Sequence, residues 1–85
     1  MLSYASLDVS QARQIHRWLL NQGFQVWVDW ERLDGNLAWL AQVEQAIESA
    51  TFFGLVLSRY SLRSGNCRLE LQHAQRCGKQ VLFFA

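Results

Sequence analysis

Polar and apolar positions follow two rhythms along this chain, one after the other. Residues 1–4 (MLSY) are a short apolar piece. From Asp8 the apolar spacing lengthens: Ala12, Ile15, His16 and Leu19 share one helical face, with Trp18 at its margin and Gly23 as a stop. Asp8 followed by Gln11 has the spacing of a capping box. Phe24 to Asp29 (FQVWVD) has strand composition. Asp34-Gly35 marks a turn, and Asn36 can cap a second helix in which Leu40, Val43 and Ile47 repeat, with Leu37 and Ala46 nearby. TFFGLVLS is nearly continuous in apolar residues, as a strand buried on both faces is. RYSLRSGN reads as a polar loop, a third helix closes at Gly78, and QVLFFA is another buried-strand run.

Strands starting near residues 1, 24, 52 and 80 alternate with helices. That order predicts parallel pairing through right-handed crossovers in a doubly wound sheet, with functional groups at the carboxyl ends of the strands. Those ends carry Ser3 to Ser6, Asp29 to Gly35, and Ser58 to Glu70. On the third helix, at about 100° per residue, Cys67, Leu71, Ala74 and Cys77 form one apolar arc. Glu70 falls inside it, between Ala74 and Cys77. A carboxylate on the apolar side of a helix, one turn from the working edge of a sheet, is the candidate chemistry of this chain. Its bland counterpart is a boundary carboxylate that favours the first helical turn.

Composition narrows the picture. A length of 85 residues suits one small domain, and four tryptophans argue for a packed core. A net charge of +1 leaves no electrostatic footprint for nucleic acid or an anionic membrane. No apolar run is long enough to span a bilayer, and no signal peptide is visible. Cys67 and Cys77, about 15 Å apart on one helix, cannot form a disulfide, which fits a reducing, cytoplasmic setting. They lack CxxC spacing or a clustered His partner in sequence, so no metal site is expected. His16 reads as a boundary residue, Cys67 as a small core residue, and Trp27 and Trp39 as core aromatics. Trp30 serves packing or contact, and Asp29 caps the loop or faces a pocket. Arg59, Arg63 and Arg68 form a loose basic cluster, either a solvated face or a diphosphate contact. A phosphoreceiver reading fails for want of an acidic pair after the first strand. A dinucleotide fingerprint fails for want of a glycine-rich loop.

Three segments in order resemble the TIR (Toll/interleukin-1 receptor) domain family: LSYASLD, then GFQVWVDWERLDGNLAWLAQVEQAIESA, then LSRYSLRSGNCRLELQHAQRCGKQVL. The last resembles the family's C-x-x-E-L signature followed by GK; of the family's preceding S-x-x-Y-x-x-S, Ser58 and Ser64 match in spacing, with Ser61 at the tyrosine position. The resemblance implies a three-layer, flavodoxin-like α/β fold: a parallel sheet in order 2-1-3-4 with helices on both faces. Over residues 1–85 it implies a partial TIR domain, its first strand clipped and the family's fifth strand and last helix lying beyond residue 85. The fourth strand then becomes an exposed apolar edge.

The resemblance also implies a function. Many such domains, especially bacterial and plant ones, hydrolyse NAD at the nicotinamide–ribose bond when oligomerised, as effector or signalling parts of longer defence proteins. By position Glu70 matches their catalytic glutamate. Ser3, Tyr4 and Ala5 border the nicotinamide side. Asp29, Trp30, Leu33 and Gly35 belong to, or adjoin, the loop that gates the pocket and meets a neighbouring TIR domain. Asn66 and Cys67 complete the substrate-binding set. Asn66 and Leu69 depart from the family pattern, which often has an aromatic at the first position and a polar or aromatic residue at the second. NAD enters as substrate, with no separate cofactor. The partners implied are other TIR domains, with neither nucleic acid nor membrane involved. The alternative is a TIR module that recruits other TIR domains without chemistry.

Overall fold

The computed structural model describes residues 1–30 and 37–85. Strand β1 (Leu2–Ser3) runs through a 3-10 turn (Ser6–Asp8) into helix α1 (Val9–Asn21). Helix α2 (Leu37–Ser49), strand β2 (Phe52–Val56), helices α3 (Arg59–Arg63) and α4 (Gly65–Arg76) and strand β3 (Gln80–Phe84) follow. The three strands are parallel, in the order β1-β2-β3. Leu2 pairs with Gly54, and Phe52 to Val56 pair one to one with Gln80 to Phe84.

Period-two alternation sorts the core into two halves. Met1, Phe53 and Leu55 meet Val43 and Ile47 of α2 and Cys67 and Ala74 of α4 on one face of the sheet. Leu2, Tyr4 and Val56 meet Ala12 of α1 on the other, with Ile15, Val26, Val28 and Phe84 packed around them. Helices on both faces of a parallel sheet make the three-layer α/β architecture expected. Gly54 sits where the layers are tightest: a Cβ there would lie 2.9 Å from the Phe84 ring and 3.3 Å from Leu2.

Several local expectations change. Phe24 to Asp29 runs beside β1 but is not a strand, so the four-strand order 2-1-3-4 is not seen among the described residues. In a parallel ladder alternate residues point their backbone groups to opposite sides. A two-residue β1 therefore offers that side little more than Leu2, whose N–H donates to Trp27 O at 3.0 Å. Trp27 is 41% exposed rather than core, because Val26 and Val28 take the α1 side and leave it facing away. RYSLR is helical, not loop: Ser58 and Ser61 form a reciprocal cap, each side chain accepting from the other's backbone N–H. The Asp8–Gln11 box does not form, since Asp8 makes no side-chain cap bond and its carboxylate accepts from Ser58 Oγ instead. QVLFFA is a strand but not a buried one. Among the described residues β3 has β2 on one side only, leaving Leu82 and Phe83 exposed. The Asp34-Gly35 turn, the Asn36 cap and the Trp39 side chain lie outside the described residues.

Candidate functional site

Helix α4 is phased by its cap. Ser64 Oγ accepts from Cys67 N–H at 3.2 Å, satisfying one of the first-turn donors. From that start Cys67, Glu70 and Ala74 face the sheet, with Leu71 half-buried beside them, while Leu69 points to solvent. Cys77, placed on the same arc by periodicity, is instead the exposed C-cap, because the chain leaves the helix there through Gly78 at φ +70°. Glu70 is 7% exposed. Alternation along β1 points Ser3, 1% exposed, directly at it. Ser3 Oγ donates to Glu70 Oε1 at 2.6 Å and lies 3.6 Å from Cys67 Sγ. The hydroxyl has one hydrogen, and the shorter bond to the carboxylate claims it.

Glu70 lines a pocket of about 150 Å³ between α2 and α4, with Val43 and Ile47 on one wall and Asn66, Leu69 and His73 on the other. That is below the roughly 300–1,000 Å³ of a whole small-molecule site, and it suits one ring-sized group. A much larger cleft, about 1090 Å³, is lined by residues such as Phe24, Trp27, Gln42, Gln45 and Phe52. Among the described residues that line it, only the chain-terminal ammonium of Met1 is ionisable, so acid–base or electrostatic chemistry by described side chains points to the smaller pocket. That ammonium donates to Phe52 O at 3.1 Å, and burial holds it below its ordinary value of 8.0.

The other candidates gather on the opposite face. Tyr4, the residue after Ser3, is 2% exposed and its hydroxyl donates to Asp29 O at 3.1 Å. Its ring packs 5.4 Å from Trp30, which His16 meets edge-on at 5.5 Å and over which the Arg13 guanidinium lies at 4.4 Å. Trp30 is thus a half-buried packing hub, and His16 is the boundary residue expected, its Nε2 3.3 Å from Val26 O. Ala5 is buried at the start of the 3-10 turn. The structure therefore gathers Ser3, Asn66, Cys67 and Glu70 on the α4 side and Tyr4, Asp29 and Trp30 on the α1 side. Leu33 and Gly35 lie outside the described residues. Arg59, Arg63 and Arg68 are exposed, with Arg59 on the Tyr60 hydroxyl at 3.0 Å and Arg68 on Leu62 O at 3.0 Å.

Sequence reasoning missed the Asp8–Ser58 pair. Asp8 is 4% exposed, and its bond to Ser58 ties the turn after β1 to the loop after β2, bracing the edge from which Ser3 and Glu70 are presented. No local spacing signals a bond between residues 50 apart; the S-x-x-S spacing of Ser58 and Ser61 signals only the α3 cap. No buried side-chain nitrogen or oxygen among the described residues lacks a partner.

A parallel α/β sandwich with a buried carboxylate beside the carboxyl end of its first strand defines the class. The family model of the TIR domain matches residues 1–84, and the chain belongs to the TIR domain family. TIR domains generally interact with other TIR domains. No curated protein matches the chain.

Proposed function

We propose that this TIR domain hydrolyses NAD at the nicotinamide–ribose bond when copies of it assemble, with Glu70 as the catalytic carboxylate. The observation that supports the reading most is the burial of Glu70 against Ser3 in the wall of a ring-sized pocket. When the bond from C1′ to nitrogen breaks, its electron pair leaves with neutral nicotinamide and positive charge develops on the ribose. A carboxylate held in place before the reaction stabilises that charge without reorganising. Water then adds to C1′ and gives up a proton, yielding ADP-ribose. The Ser3 hydroxyl aims the carboxylate, and Asn66 borders the pocket beside it. The pocket holds only part of a dinucleotide, which is why the reading includes assembly. In the enzymes that the family resemblance implies, the segment that matches residues 30–36 in sequence meets a neighbouring domain.

A second reading, a recruiting module without chemistry, draws on the exposed apolar side chains Leu62, Leu69 and Phe83, each more than half exposed. Nicotinamide release by the purified chain at high concentration, beside Glu70→Ala and with light scattering on both, separates the two. The NADase reading expects Glu70→Ala to lose on the order of 10²–10³-fold in rate, the cost of removing a transition-state stabiliser, while self-association persists. Undiminished turnover in Glu70→Ala would overturn the catalytic assignment. Association without turnover in either protein would favour the recruiting module.

A further inference from the structure

We propose that Glu48, His73 and Cys77 form a zinc(II) site joining the ends of α2 and α4. Their ligand atoms, one carboxylate oxygen, one imidazole nitrogen and one sulfur, all lie within 4.8 Å of one another. The expectation of no metal site overlooked His73, four residues before Cys77, while Glu48 lies 25 residues before His73 on a different helix. The fold assembles the set by two independent devices. His73 and Cys77 are four residues apart at the end of α4 and so share one face, the arrangement by which a helix chelates a metal. Glu48 comes from the last turn of α2, where Lys79 Nζ donates to its backbone carbonyl at 2.8 Å. That bond ties the end of α2 to the chain just past α4 through backbone rather than through the carboxylate.

The dimensions suit zinc. Bonds of about 2.0–2.3 Å to N, O and S in a tetrahedron give ligand–ligand edges of about 3.3–3.6 Å. His73 Nε2 and Glu48 Oε1 already stand 3.3 Å apart. The sulfur needs to approach by about 1.3 Å at most, a movement within reach of a Cys77 side chain on an exposed helix cap. One thiolate, one imidazole and one carboxylate select zinc over magnesium or calcium, which take oxygen ligands. Water completes the fourth position. On binding, the S–H bond breaks, sulfur bonds to zinc, and the proton leaves to solvent. The His73 and Glu48 side chains are 23% and 57% exposed, so the ion has a path in. Because His73 also lines the Glu70 pocket, zinc would clamp the two helices that wall it.

The test is titration of the whole chain with zinc against a chromophoric chelator, repeated with cobalt(II) as a spectroscopic stand-in. The expected result is one ion per chain, a melting temperature raised by several degrees at saturating zinc, and a cobalt spectrum with intense tetrahedral bands and a thiolate charge-transfer band. Glu48→Ala, His73→Ala and Cys77→Ser each lower affinity by at least about tenfold, the loss seen when even a supporting partner of a ligand is removed. The charge-transfer band disappears in Cys77→Ser and survives in Cys67→Ala. A wild-type cobalt spectrum with weak octahedral bands and no charge transfer overturns the proposal without recourse to any variant. So does zinc binding that is non-saturable or indifferent to Cys77→Ser.

Discussion

Replacing Ser3 with alanine tests the link between the sheet and the candidate site. The hydroxyl is 1% exposed, its acceptor Glu70 is 7% exposed, and the bond is 2.6 Å long. At that burial water does not readily stand in for the lost donor. A hydrogen bond to a charged group contributes about 1.5–3 kcal/mol, and the better burial of a methyl group offsets a fraction, leaving a loss of about 1–3 kcal/mol. For a domain of this size each kcal/mol moves the melting temperature by roughly 4–8 °C, so a fall of at least about 4 °C is expected by circular dichroism. A double-mutant cycle with Glu70→Gln isolates the pair. The amide keeps an acceptor oxygen but bonds Ser3 about half as strongly, so a coupling of at least about 0.5 kcal/mol is expected. NAD turnover should fall in Ser3→Ala, by less than in Glu70→Ala, because the carboxylate remains but is no longer aimed. A variant as stable as the parent, together with a cycle that closes to zero, would refute the Ser3–Glu70 bond and the aiming role built on it.

Gly54→Ala should cost about 1–3 kcal/mol, the usual cost of overpacking, since its Cβ would meet the Phe84 ring at 2.9 Å. Adding Phe84→Leu should recover part of that loss in urea denaturation, and no recovery would place the strain elsewhere. Ser58→Ala removes the α3 cap and the donor to buried Asp8 together, so the expected loss is about 2–4 kcal/mol. A loss below about 0.5 kcal/mol, the low end for a cap alone, would show that Asp8 finds another partner.

The elements that were legible are those whose signal is local and repeated. TFFGLVLS reads as a strand because a central parallel strand needs apolar residues on both faces, and Phe53 to Val56 are all buried. The helix around Glu70 was equally legible, and its arc correctly turned the carboxylate inward. Elements that depend on a neighbour were misread. FQVWVD has strand composition, but a strand exists only where a partner offers a ladder, and β1 presents too little edge. Asp8 has the spacing of a cap, yet Ser58, 50 residues away, takes its carboxylate. Trp27 read as a core aromatic of that strand, but Val26 and Val28 take the α1 side and leave it exposed.

The sequence by itself determined the α/β alternation, the inward face of α4 and the motif that carries the TIR resemblance, because each is written in spacing along one segment. The tertiary structure decided which side chain faces Glu70, how the candidate residues divide between the two faces of the sheet, and that Glu48 stands beside His73 and Cys77. Those outcomes depend on strand register and helix packing between segments that lie far apart in the chain. Local periodicity says which way a residue points, and only the packed fold says what it meets.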